Sequence, residues 1–300
     1  MSTLVRREEV AYLTARGLSC RRACVLLSVA RSTMNYELQR PQRDEQLLAQ
    51  IRRLASEHPR YGYLRVWALL RRAGQRVNHK RVYRLWRAHG LSLRRRQRQR
   101  RRGPQLARPP VATRANEVWA YDFVHDRCAN GQKLKCLAVV DEYTRECLTI
   151  EVDRRMSARR VIAVLQGLLT QRSAPSYLRS DNGPEFVAQA VQAWLEQSEV
   201  GPVHIDPGKP WQNGVVESFI GKLRDECLDR EWFHTPKEAR ILIEQYRRHY
   251  NRERPHSSLG YLTPTEMANE SAGGVVALRP KKVKSVDTVN KENLTLEMVR

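Results

Sequence analysis

Arg94–Arg102 reads RRRQRQRRR, seven arginines in nine residues, and GPQLARPP follows it with Pro104, Pro109 and Pro110. Like charges at this density repel one another, and prolines interrupt helices and sheets alike. No hydrophobic core can run through such a stretch. The chain is therefore expected to fold as an amino-terminal part and a carboxy-terminal part, joined by an Arg/Pro-rich linker over 94–112. The charge divides at the same place. Residues 1–110 hold 27 Lys/Arg against 6 Asp/Glu, a balance of +21; residues 111–300 hold 27 against 26, a balance of +1. A block this segregated suits the phosphate backbone of a nucleic acid, where each contact releases counterions. A merely soluble surface would carry its excess charge scattered. Arg94, Arg95, Arg96, Arg98, Arg100, Arg101 and Arg102 can grip phosphates without reading sequence.

The amino-terminal part has helical punctuation. Glu8–Arg16 is expected to be a helix stopped at Gly17. Ser19 caps Cys20–Leu27, with Ala23, Leu26 and Leu27 inward, and Ser32–Leu38 follows a short turn. This is a helix-turn-helix-like pattern over 1–40. Pro41 then breaks the chain, and 41–93 is expected to be a second helical DNA-binding domain. Its helices are Asp44–His58, then Tyr61–Arg72 with Leu64, Trp67, Ala68 and Leu70 as core, then a helix capped by Asn78 and stopped at Gly90. On the last, Val82, Leu85 and Trp86 face inward while Lys80, Arg81, Arg84 and Arg87 crowd the other side. Such a stripe is what docking in a DNA groove would use, the alternative being an exposed Arg-rich helix with no groove.

After Pro110 the periodicity changes. Strands are expected at Glu117–Val124, Lys133–Asp141, Cys147–Val152, Tyr177–Arg179 and Val203–Ile205. Asn130-Gly131 marks a hairpin. Helices are expected at Ser157–Gln171, Phe186–Ser198, Asn213 to about Leu228, and Pro236–Tyr250. Three antiparallel strands followed by alternating helices and strands is the order of an α/β ribonuclease H-like core, a mixed five-stranded sheet with flanking helices, here over 113–270. Residues 271–300 form a tail without strong pattern. No apolar run reaches membrane-spanning length, and MSTLVRREEV lacks an apolar leader. A cytoplasmic, nucleoid-associated protein is expected. The six cysteines form no CxxC pair, which argues for buried, reduced thiols and against structural zinc.

Metal-assisted phosphoryl chemistry needs hard oxygen ligands converging on one point. Asp122 sits between Tyr121 and Phe123 in an apolar strand, where alternation also permits an outward-facing residue. Asp181 follows a short strand and precedes Asn182-Gly183, a position equally suited to a turn aspartate. Glu217 lies in KPWQNGVVESFIGKLRDECL. Val216, Phe219 and Leu223 mark the inward face of that helix, and Asn213, Glu217, Gly221 and Arg224 share another. Lys222 points away from that face. Each acid alone is as well explained by a solvent-facing role.

Together these segments resemble a known family. RSDNGPEF (179–186) and KPWQNGVVESFIGKLRDECL (209–228) are similar to the second and third catalytic motifs of retroviral-integrase-like DDE transposases, with 35 residues between Asp181 and Glu217. VWAYDFV resembles the first. YNRERPHSSLGYLTPTEMA (250–268) and HPRYGYLRVWALLRRAGQRVNHKRVYRLWRAHGL resemble segments of the second-reading-frame (OrfB) protein of the insertion-sequence-three family. The resemblance implies a DDE transposase that nicks DNA 3′ ends and transfers strands. Asp122, Asp181 and Glu217 would hold two Mg²⁺, or Mn²⁺, and DNA contacts would come from Lys209, Gln212, Asn213, Lys222 and Arg224. It implies double-stranded DNA, element ends and target, as partner. It also implies a homo-oligomer of at least two copies on DNA, and an upstream-frame DNA-binding protein or its frameshift fusion. The alternative is a DNA-binding regulator that inhibits transposition without catalysis.

Overall fold

The structure, a computed structural model, describes residues 3–34, 39–93, 111–181, 189–205 and 210–272. Chain contacts divide it into two units, between Glu57 and His58.

The first unit begins with α1 (Thr3–Ala15), α2 (Cys20–Leu26) and α3 (Arg31–Met34). Ser19 caps α2, its side chain accepting from the Arg22 N–H. Gly17 turns the chain with φ +95°. Val10, Ala23, Cys24 and Val29 form a small core, with Leu27 packed against it. Leu26, expected inside, is 65% exposed. At 100° per residue, a face holding Ala23, Cys24 and Leu27 turns Leu26 and Val25 outward. Helix α4 (Gln39–Glu57) begins before Pro41 rather than after it. A proline is tolerated in the first turn because its missing N–H would have had no partner there.

The second unit opens with α5 (Tyr63–Arg72) and α6 (His79–Ala88). Asn78 caps α6, accepting from the Lys80 N–H at 2.9 Å. The Trp67 indole donates to the Val77 carbonyl at 2.8 Å, tying the connecting loop to α5. Val66 is the fully buried residue where Leu64 and Trp67 were expected, and both of those are half-buried. On α6, Val82, Leu85 and Trp86 are buried while Lys80, Arg81, Arg84 and Arg87 are exposed.

Five strands follow: β1 (Val118–Arg127), β2 (Lys133–Asp141), β3 (Cys147–Asp153), β4 (Tyr177–Ser180) and β5 (Gly201–His204). Their order is β3-β2-β1-β4-β5. The first three are antiparallel, and β4 and β5 run parallel to β1. The β1–β2 hairpin turns at Gly131 (φ +80°), where the Asn130 side chain accepts from the Gln132 N–H. This is the mixed sheet of the ribonuclease H-like fold. Helices α7 (Ala158–Gln171) and α8 (Gln189–Gln197) cover one face. Helices α9 (Gly214–Leu223, continuing as a π-turn over Arg224–Leu228) and α10 (Pro236–Arg252) cover the other. A short α11 (Pro264–Ala272) closes the described chain.

Alternation along β1 decides which residues meet which helices. Trp119 and Tyr121 pack with Val161, Leu165, Val191 and Leu195 of α7 and α8. Ala120 and Val124 pack with Val216, Phe219 and Leu223 of α9 and with Ile243 and Tyr250 of α10. Five cysteines are buried as expected; Cys20 is exposed, and all six are free thiols. Among the described residues, no helix is long and apolar enough to cross a membrane.

Candidate active site

Asp122 falls between Ala120 and Val124, so its side chain belongs to the α9 face of the sheet. The parallel pairing of β1 with β4 places Trp119 beside Leu178 and Ala120 beside Arg179. Asp122 and Asp181 each lie two residues beyond this last pair, and Asp181 acts electrostatically on Asp122. Neighbouring strands lie about 4.8 Å apart, and register partners in a parallel pair point to the same side. Asp181 follows directly on the end of β4.

Helix α9 lies over that face, held by Val216, Phe219 and Leu223. Glu217 follows Val216 and is exposed at the helix's amino-terminal turn. Like charge links the three acids. Burial pushes the Asp122 carboxyl up to about 6, with Asp181 and Glu217 adding to the rise and the Phe123 N–H opposing it. That N–H donates to Asp122 Oδ1 at 2.7 Å. Among the described residues, no three His, Cys, Asp or Glu side chains stand close enough to hold an ion as they are placed.

Nearby acids have other work. Asp141 accepts from the Asn116, Tyr143 and Thr144 N–H groups and so closes the turn after β2. Glu142 pairs with Arg179, whose Nη1 donates to both carboxylate oxygens at 2.5 and 2.7 Å, with both residues buried. Arg179 lies in β4 two residues before Asp181, so this pair anchors the end of β4. Sequence reasoning missed it, because Glu142 and Arg179 are 37 residues apart and share no local pattern.

The remaining residues expected to touch DNA are scattered. Gly221 is exposed, with open space where a side chain would stand. Arg224 is exposed, and its Nη2 donates to the His125 carbonyl at 3.2 Å, three residues past Asp122 on β1. Lys222 faces away from Glu217 as expected, its Nζ bonded to the Ser218 carbonyl at 2.7 Å and hydroxyl at 2.6 Å. Asn213 corrects the expectation. It precedes the helix in a 3-10 turn, is 2% exposed and makes no side-chain cap, so it does not extend the Glu217 face. The turn breaks the 3.6-residue periodicity on which that expectation rested. Gln212 is half-buried. Lys209 and Arg94–Arg102 lie outside the described residues.

The motif at 250–268 is structural in part. The Asn251 side chain accepts from the Cys147 N–H at 2.9 Å and donates to the Cys147 carbonyl at 2.8 Å, clipping α10 to the start of β3. Arg254 forms a two-point pair with Glu226 of the π-turn, at 2.7 and 2.5 Å.

Comparison with known proteins gives a consistent set of relatives. Residues 112–210 and 198–264 match two families described as integrase core domain, and residues 42–100 match an HTH-like domain. The chain is 44% identical over 254 residues to an uncharacterized 31.7 kDa protein of insertion element IS407 from Burkholderia multivorans, covering 84% of this chain and 91% of that one. It is 39% identical over 267 residues to a 39.2 kDa protein of insertion element IS476 from Xanthomonas euvesicatoria, covering 88% and 77%. It is 29% identical over 297 residues to the transposase InsD of an Escherichia coli insertion element, covering 90% and 94%. Among solved structures, a chain of the simian T-cell lymphotropic virus intasome bound to a PP2A regulatory subunit aligns with TM-score 0.48 at 16% identity, covering 79% of each chain.

Proposed function

The chain belongs to the insertion-sequence-three family of transposases, of the second-reading-frame type with an integrase catalytic core, and from that premise we propose that Asp122, Asp181 and Glu217 are its catalytic carboxylates. As a member it is a polynucleotidyl transferase that acts on DNA in transposition. The observation that supports the site is the β1–β4 pairing of Ala120 with Arg179, each two residues before an aspartate, together with the electrostatic action of Asp181 and Glu217 on Asp122.

The donor set fits divalent metal. It is all carboxylate oxygen, the hard ligand that Mg²⁺ and Mn²⁺ prefer. Burial raises the Asp122 carboxyl first, and Asp181 and Glu217 add to the rise, so a bound cation would be favoured there. Bound there, two such ions would activate the attacking oxygen and stabilise the leaving 3′-oxygen of a phosphodiester. The chain's own residues supply the frame. The Phe123 N–H fixes one Asp122 oxygen, the Arg179–Glu142 pair holds the strand that ends at Asp181, and the buried face of α9 presents Glu217. Arg224, exposed beyond open Gly221, offers a donor to a DNA phosphate, at the cost of its bond to His125. Water would attack to nick the 3′ end of the element, and the freed 3′-hydroxyl would then attack target DNA. Two copies on paired ends, and an upstream-frame partner or fusion, complete the proposal.

The test separates chemistry from binding. Asp122→Asn, Asp181→Asn and Glu217→Gln should each lower strand transfer of a pre-cut element end at least a thousandfold, roughly the loss of several kcal/mol of transition-state stabilisation. Each should leave duplex affinity within about twofold. Joining at the wild-type rate by any one of them removes that residue from the site.

A further inference from the structure

A second charged site lies away from the three carboxylates. A cavity of about 600 Å³ opens between the amino end of α5, α6 and the turn after α10, with Gly62, Arg65, Arg87, Ser257 and Tyr261 in its walls. The N-cap of α5 is Gly62, which has no side chain to offer the first N–H groups, so the positive end of the helix faces the cavity uncapped. Behind Arg65 the positive charge continues. Arg254 is 1% exposed and His256 4% exposed. Arg254 acts electrostatically on Arg65, Lys222 and His256, Lys222 and Arg65 act on His256 as well, and Glu226 is a carboxylate acting on Lys222, Arg65 and Arg254. Burial together with Arg254 and Arg65 pushes the Lys222 ammonium down to about 8, and His256 is held well below its ordinary range. Three cations thus crowd around one anion.

The hydrogen bonds show the same shortage. Arg65 Nε, Arg254 Nη1 and His256 Nε2 are buried without a partner among the described residues. Arg254 spends its other nitrogens on Glu226 and lies over the Tyr61 and Tyr250 rings, 5.8 and 5.7 Å from their centroids. A buried guanidinium N–H left unmet is costly. The turn that brings Ser257 and Tyr261 to the cavity is itself tightly set. Gly260 and Tyr261 both have positive φ, +68° and +73°, and the Tyr261 N–H donates to the His256 carbonyl at 2.8 Å.

We propose that this cavity is an anion site that takes one phosphodiester of the DNA backbone, with Arg65 and the amino end of α5 as its donors and Arg87 at its rim. The chemistry recognised is that of a phosphate oxyanion. The assignment to DNA rather than free phosphate rests on the transposase reading above. The site positions a strand and takes no part in bond breaking.

The experiment uses the full chain. At fixed ionic strength, replacing chloride with inorganic phosphate should raise the melting temperature of the wild type by several degrees. Arg65→Gln should abolish that rise. Ser257→Asp, an exposed change that puts a carboxylate at the cavity wall, should abolish it too, so the test survives if Arg65→Gln folds poorly. With a short duplex, both variants should bind about tenfold more weakly, and Arg65→Gln should lower the slope of log affinity against log salt by about one. Asp122→Asn should respond to phosphate and duplex as the wild type does. A phosphate effect that persists in both variants overturns the site. A phosphate effect lost in both, with duplex binding unchanged, overturns the assignment to DNA. If the wild type fails to bind duplex at all while phosphate still stabilises it through Arg65, the transposase reading fails and the anion site stands.

Discussion

Replacing Asp122 with Asn should make the metal-free protein more stable. The Asp122 carboxyl is held at about 6 against an ordinary 3.8, first by burial and then by Asp181 and Glu217. The folded chain therefore keeps a proton that the unfolded chain has already released. Between about pH 4 and pH 6 the folded state binds more protons, so stability falls as pH rises through that window and stays low above it. The shift of about two units corresponds to roughly 2–3 kcal/mol at 1.36 kcal/mol per unit. Asparagine keeps the oxygen that accepts from Phe123 and carries no charge. In chelator at pH 8, Asp122→Asn should thus gain up to about 2–3 kcal/mol, an increase of roughly 5–10 °C in melting temperature for a unit of this size. At pH 4 and below, the two proteins should melt together. Saturating Mg²⁺ should narrow the gap at pH 8, because an ion that binds only the folded wild type stabilises it by mass action. Thermal unfolding across pH 3.5–8, with and without metal, measures all of this. A variant no more stable than wild type at pH 8 would refute the claim that burial, reinforced by Asp181 and Glu217, disfavours the Asp122 carboxylate in the folded chain.

Two further outcomes follow from other parts of the chain. Glu142→Gln or Arg179→Met alone should cost about 3–5 kcal/mol by stranding a buried charge or its partner, whereas Glu142→Leu with Arg179→Met should recover most of it. Denaturant unfolding reads this directly, and single variants within 1 kcal/mol of wild type would show the pair to be dispensable. Neutralising Arg94–Arg102 should flatten the salt dependence of duplex affinity by about 0.9 in slope for each lost phosphate contact, and an unchanged slope would show that the run does not touch DNA.

Local chemistry made most of the architecture readable in the sequence. Ser19, Asn78 and Ser157 each accept from a backbone N–H two or three residues on, and Gly17, Gly74, Gly90 and Gly131 each take positive φ where a helix or hairpin turns. The apolar run VWAYDFV announced a strand, which β1 is, and its parallel pairing with the short strand before Asp181 was not legible in it. The misreadings came where a neighbour or a turn overrides local pattern. Pro41 entered a first turn, Leu26 lost a contest of helix faces, and a 3-10 turn removed Asn213 from the Glu217 face. Least legible were contacts between distant residues: Arg254 with Glu226, Asn251 with Cys147, and Arg65 beside both Arg254 and Lys222. Their partners are up to 189 positions apart (65 to 254) and carry no periodicity that would announce them.

The β1–β4 register also governs how this gene can drift. Because side chains alternate, deleting or adding one residue between Val118 and Tyr121 would turn Asp122 toward the α7 side while leaving its chemical identity intact. Substitutions there change packing by degrees, but a change in length relocates a carboxylate to the wrong side of the sheet. Copies of the element should therefore accumulate length variation in the hairpin around Asn130 and Gly131, and be silenced by single-codon insertions only a few residues upstream.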